Sequence, residues 1–252
     1  MVRRKNFIQR QKIILASIAV LVVAIVAYLT LETVTDEGAQ GEFVSGIHYV
    51  ELENPRRIRG EAIEVMEFFS YGCVFCYQFD DDLTDWANTH EGKIRLVRTP
   101  LIGSDQWRLL GRHFYALETL DAPDVLHQAT FRGLHDLGKN LSTQDKLADF
   151  VASNSPLSAE SYRVAFSSPS VETRVKLADR LARQAKVTSV PQLVVQGRYR
   201  ISSTRDVGPS RMLEVADFLI KKIASEETIQ KKPRSALFYE KAGTTSQNDT
   251  AV

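Results

Sequence analysis

The chain's only two cysteines stand three apart, as Cys73-Val-Phe-Cys76 in 252 residues. A pair at that spacing suits thiol-disulfide exchange, in which one sulfur attacks and the other resolves the mixed disulfide. Ahead of it, Ile63 to Phe69 reads as a strand of period two with Ile63, Val65, Glu67 and Phe69 on one face. Gly72 lets the backbone turn sharply. From Cys76 onward Phe79, Leu83 and Trp86 recur at helical spacing, with Asp80, Asp81, Asp82 and Asp85 mostly off that stripe. Cys73 is thereby predicted at the open end of a helix, where unpaired N–H groups and the positive end of the dipole favour a thiolate. Cys76 starts the buried stripe one turn later. On this reading Cys73 is the attacking nucleophile and Cys76 the resolving thiol.

Other uses of two thiols fit less well. A structural bridge across so short a loop takes little entropy from the unfolded chain. Copper or zinc is a rival ligand, but tetrahedral zinc needs two further donors, and His48, His90, His113, His127 and His135 form no spaced motif with the pair. A tethered interaction module with idle cysteines is a third reading, although apolar positions on helices are more often core. The sequence holds no phosphate loop, nucleotide fingerprint or Ser-His-Asp constellation, so no cofactor is expected beyond a redox-active disulfide. Trp86 and Trp107 are read as packing residues.

Composition places the chemistry outside the cytoplasm. Ile13 to Leu31 is a run of nineteen residues without a charge, preceded by Arg3, Arg4, Lys5, Arg10 and Lys12. That length and asymmetry predict a retained membrane helix with its N-terminus in the cytoplasm, since the apolar part of a cleaved signal is shorter. Of 32 basic residues five lie before the span, leaving 27 against 31 acidic ones beyond it, a net charge of −4. That balance, without a basic patch, gives no reason to expect nucleic acid.

Glu32 to Glu42 reads as a polar tether. Strands are predicted at Ile47 to Leu52, Ile63 to Phe69 and Ile94 to Val97, the last stopped by Pro100, with a helix from Cys73 to about Thr89 between the second and third. Four helices follow, over Leu109 to Leu120, Val125 to Leu137, Thr143 to Val151 and Val171 to Ala185, with Ser142 and Ser158 as caps. Strands return at Gln192 to Val195 and Tyr199 to Ser202, joined through Gln196-Gly197-Arg198, before Pro209 opens a last helix. Beyond Ser225 the composition predicts a disordered tail. The predicted division is a basic N-terminus over 1–12, an anchor over 13–31, a linker over 32–45, an α/β part over 46–101, a helical insertion over 102–187, a second α/β part over 188–224 and a tail over 225–252.

This order, over roughly Gly46 to Ile223, resembles the DsbA family of thiol-disulfide oxidoreductases. Its specific pieces are Glu67-Phe-Phe-Ser-Tyr-Gly-Cys-Val-Phe-Cys-Tyr-Gln-Phe, the upstream Tyr49-Val-Glu-Leu-Glu-Asn-Pro55 and Thr188-Ser-Val-Pro191. The resemblance implies an α/β, thioredoxin-like fold with an inserted all-helical domain, here preceded by a transmembrane helix. It implies that Pro191 is cis and faces the cysteines, that Val190 offers backbone hydrogen bonds to substrate, and that Glu67 lies buried beneath the pair. The residues support part of this directly, because an X-Pro bond is readily held cis and a strand can begin at proline. A carboxyl at Glu67 among apolar neighbours should have a raised pKa and could relay a proton to or from Cys76.

The departure is the dipeptide between the cysteines. The family usually carries Pro-His there, whereas this chain has Val74-Phe75, and Phe75 can neither charge nor hydrogen-bond a thiolate. The expected function is an extracytoplasmic oxidoreductase that forms disulfides in exported proteins, with a membrane-anchored reductase or isomerase as the alternative. The resemblance further implies unfolded or partly folded cysteine-bearing substrates and a quinone-linked DsbB-like membrane partner in a bacterial envelope; with the anchor over Ile13 to Leu31, the expected location is single-pass in a bacterial inner membrane with the catalytic domain in the periplasm, and a monomer is expected.

Overall fold

The structure is a computed structural model that describes residues 43–231 except 123, 205 and 206. The expected anchor, most of the linker and the tail beyond 231 lie outside the described residues. Among the described residues no helix is long and apolar enough to cross a membrane. The elements below belong to one compact unit beginning at Ser45.

Five strands form one sheet in the order β1-β5-β4-β2-β3, comprising β1 (Val50–Glu51), β2 (Ile63–Phe69), β3 (Ile94–Pro100), β4 (Gln192–Val195) and β5 (Tyr199–Ser202). β2 runs parallel to β3 and antiparallel to β4, and β5 pairs antiparallel with β4 and β1. Between β2 and β3 lies α1 (Val74–Thr89). The insertion is α2 (Asp105–Thr119), α3 (Asp124–His135), α4 (Gln144–Asn154), α5 (Ala159–Phe166) and α6 (Pro169–Gln184), and α7 (Pro209–Lys231) closes the fold.

All seven residues of β2 are buried, so its alternation does not separate an inner from an outer face. The pleat instead sends neighbours into two cores. Phe68 joins Leu52, Met66, Ala182 and Val194. Phe69 joins Tyr71, Cys76 and the insertion's Leu110, Phe114, Leu147, Tyr162 and Val175, with its ring edge-on to Tyr71 and Phe114 at 5.3 and 5.2 Å. The cysteine segment therefore sits on the seam between sheet and insertion.

Several boundaries differ from the sequence reading. β1 is two residues long because Gly46, at φ 85°, starts a turn closed by its N–H on the Tyr49 carbonyl, leaving Ile47 exposed. β3 runs on through Pro100. As an edge strand it tolerates the missing donor, and the Leu101 N–H completes the pairing on the Phe69 carbonyl at 2.8 Å. Thr143 rather than Ser142 caps α4. Ser158 does cap a helix, the eight-residue α5, which is too short for a clear apolar period. α7 continues past Ser225 to Lys231, so the predicted tail starts too early; an Arg198–Glu226 ion pair at 2.8 Å ties that extension to the β4–β5 hairpin.

The hairpin turn has Gln196 at φ 50° and Gly197 at φ 61°, the left-handed pair that matches strand twist. A Cβ at Gly197 would lie 2.7 Å from the Arg56 carbonyl oxygen. Gly197→Ala should therefore destabilise the fold by about 2 kcal/mol. Urea unfolding against the parent protein checks this.

Candidate active site

After Phe69, the Ser70-Tyr71-Gly72 turn is held by the Cys73 N–H on the Ser70 carbonyl at 3.0 Å and the Gly72 N–H on Ser70 Oγ at 3.2 Å. Cys73 then caps α1 with an extended backbone, φ −104° and ψ 114°, its Sγ accepting from the Cys76 N–H at 3.4 Å. A side chain at this position normally satisfies an orphan donor with oxygen; here the acceptor is sulfur. The Cys73 thiol is held down to about 6, chiefly by the Cys76 thiol donating to it, against burial, with further help from the N–H groups of Cys76 and Phe75 and the charge of His135. Burial pushes the Cys76 thiol far upward, and the hydrogen bond and charge of Cys73 add to this. Cys76 is inaccessible and Cys73 half-buried. Neither is bridged.

The Val190–Pro191 peptide bond is cis. It brings the Val190 carbonyl to 3.6 Å from Cys73 Sγ, across the sheet from the end of α1. Glu67 is buried, and desolvation lifts its carboxyl to about 8 although the Arg98 charge works the other way. Glu67 Oε2 is 3.4 Å from Arg98 Nε but makes no hydrogen bond with it. Arg98 Nη2 donates to Asp80 Oδ1 at 3.0 Å and Thr84 Oγ1 at 2.7 Å. A buried carboxyl with an unbonded oxygen favours its neutral form. Phe75 is 63% exposed and Val74 43%, an apolar patch beside Cys73.

The chain of polar groups extends beyond the residues singled out from sequence. Asp80 is buried; burial opposes its ionisation, yet hydrogen bonding and charge from His127 and Arg98 hold it below the usual carboxylate range. His127 Nε2 lies 3.0 Å from Asp80 Oδ1, and its Nδ1 2.7 Å from the Tyr71 hydroxyl. Tyr71, Arg98, Glu118 and His127 line a cavity of about 170 Å³. In sequence Asp80 belongs to an acidic run read as mostly off the buried stripe, yet its place four after Cys76 and three before Leu83 sets it on that stripe, unlike Asp81 and Asp82. His113, by contrast, is depressed to about 3 by burial and spans Tyr162 and Thr130 at 2.8 and 3.0 Å, a neutral packing histidine. Trp107 packs against the turn, 3.1 Å from where a Cβ of Gly72 would stand. Among the described residues, no group of three or more His, Cys, Asp or Glu side chains could hold a metal ion.

Comparison with known proteins decides the family. No family model matches the chain. The thiol:disulfide interchange protein DsbA of Pseudomonas aeruginosa is 32% identical over 198 residues, 78% of this chain and 93% of that protein. The chain belongs to the DsbA family. The DsbA of Azotobacter vinelandii is 33% identical, covering 75% of this chain and 92% of its own. Crystal structures agree: Pseudomonas aeruginosa DsbA superposes with a TM-score of 0.71 at 31% identity, over 74% of this chain and 97% of that one. Xylella fastidiosa DsbA gives 0.68 at 27%, over 73% and 100%. The protein is thus a thiol:disulfide oxidoreductase with the thioredoxin-like DsbA fold.

The pKa of Glu67 sets a stability trend. Between about 4.5 and 8 the folded protein keeps a proton that the unfolded chain has released, so this group lowers stability as pH rises through that window. Glu67→Gln should remove that contribution. Relative to the parent it should be more stable at pH 8 than at pH 5, by a few kcal/mol at most, as read by urea unfolding at the two pH values.

Proposed function

We propose that the protein oxidises dithiols of exported proteins, with Cys73 as the exchanging sulfur. A substrate thiolate attacks Cys73 of the Cys73–Cys76 disulfide and expels the Cys76 sulfur. The substrate's second thiolate then attacks the substrate sulfur of the mixed bond and displaces Cys73. Two electrons pass to the enzyme, leaving Cys73 as thiolate and Cys76 as thiol. Glu67, with a pKa near neutrality, supplies or accepts the proton at Cys76, to which it is electrostatically coupled. Val190 presents its carbonyl beside Cys73 to an extended substrate segment, Pro191 holds that carbonyl in place, and Phe75 and Val74 meet apolar substrate side chains.

The observation that carries the oxidising direction is the low Cys73 pKa in the absence of a histidine between the cysteines. Whatever stabilises the reduced form raises the potential of the pair. The reference potentials are about −120 mV for a DsbA and about −270 mV for thioredoxin. Equilibration of the purified protein with glutathione buffers, read as the fraction of disulfide, should give a value nearer the first. A value near the second would make it a reductase or isomerase fed by an electron donor.

Reoxidation calls for a partner, for which a quinone-linked membrane protein of the DsbB kind is our reading. The uncharged run from Ile13 to Leu31, behind five basic residues, supports a single-pass anchor that places the domain in the periplasm. Confinement to one membrane would raise the encounter rate of the two. The expressed protein should then stay with the membrane pellet after alkaline carbonate washing and be released by detergent, whereas release by carbonate would rule the anchor out.

A further inference from the structure

Val74 and Phe75 leave the Cys73 sulfur without a charged neighbour inside its own motif. The insertion brings one. His135 closes the last turn of α3, a helix end suited to a cation. Its Nε2 lies 2.8 Å from the Tyr71 carbonyl. A carbonyl only accepts, so Nε2 bears the hydrogen, and a proton on Nδ1 makes the ring cationic without breaking that bond. The ring stacks on Tyr77 at 5.4 Å and 10°, with Phe131 behind at 6.3 Å and 29°. Tyr77 follows Cys76 directly and donates its hydroxyl to Asp136 Oδ2 at 2.6 Å. His135 is thus fastened at both ends of the segment from Tyr71 to Tyr77 that carries the two sulfurs.

We propose that His135, from the helical insertion, supplies the positive charge that stabilises the Cys73 thiolate, in the role that a residue between the cysteines cannot fill here. The ring's charge is among the causes that lower the Cys73 pKa, and the Tyr77 ring it stacks on faces Asp81 of α1, Arg132 of α3 and Asp136 just beyond α3. The inference rests on Cys73 being the exchanging sulfur. In that reaction a substrate dithiol and the enzyme disulfide become a substrate disulfide, a Cys73 thiolate, a Cys76 thiol and one released proton. A cation fixed beside Cys73 favours that product side. His135 acts through space on the sulfur and is a positioning residue, so stability alone cannot test it.

The test is His135→Gln, whose side-chain amide can still donate to the Tyr71 carbonyl but carries no charge. Thiolate absorbance of the reduced full chain is titrated against pH for parent and variant, alongside the glutathione equilibrium. The variant should raise the Cys73 midpoint by about 0.3 unit, roughly a twofold loss of thiolate below it, and shift the potential by about 10 mV in the reducing direction. Adding Phe75→His to that variant should restore most of both. His135→Asn serves if the glutamine variant does not fold. A low midpoint unchanged by the substitution overturns the role of His135 and leaves Cys73 as the activated sulfur, even if the variant is less stable. An ordinary thiol midpoint in the parent overturns both.

Discussion

The arrangement depends on a sulfur serving as the N-cap of an amphipathic helix. The first N–H groups of α1 have no partner within the helix, and Cys73 Sγ takes the one from Cys76. That contact, together with the Cys76 thiol's own hydrogen bond, orders the chemistry of the pair. It makes a thiolate welcome at Cys73, and the turn of helix that separates the residues carries Cys76 under cover, where a charge is costly. Two identical side chains acquire opposite acidities because Cys73 accepts hydrogen bonds from the Cys76 thiol and from the first N–H groups of α1, while Cys76 lies inside the core.

Such a cap is only as good as the turn that presents it. Ser70 and Gly72 fix where the sulfur stands, beside the Val190 carbonyl, and the interior strand β2, buried along its whole length, anchors that turn. The same burial puts Glu67 and Asp80 beneath the site in contrasting states. Asp80 has Arg98 and His127 as hydrogen-bond partners and stays ionised; Glu67 comes within 3.4 Å of Arg98 without a bond and holds its proton to higher pH. Arg98 gives its Nη2 hydrogen bonds to Asp80 and Thr84, and its Nε faces Glu67 at 3.4 Å without bonding it.

The helical insertion is a working part of the site rather than a cover. Its core is continuous with Phe69, Tyr71 and Cys76, and α3 alone contributes His127 to the buried polar chain and His135 to the Tyr71 carbonyl. A thioredoxin-like sheet with one helix could display the cysteines, but His127 and His135, more than fifty positions downstream, complete the polar surroundings of the site.

What the sequence determined is what short-range physics controls. The cysteine spacing, the strand running into Gly72, the helix that begins at Cys73 and the hairpin at Gln196-Gly197 follow from periodicity, turn geometry and capping within a few residues. The same information located four insertion helices and missed α5, whose eight residues span little more than two turns. Burial and charge pairing were decided only in three dimensions. Helical spacing sets Asp80 on the Cys76 and Leu83 side of α1, but what makes it a buried anion is Arg98 on β3 and His127 on α3. Likewise nothing near Cys73 in sequence announces His135, sixty-two positions away. Desolvation and Coulomb interaction depend on distances through space, and those exist only once the insertion has packed against the end of β2.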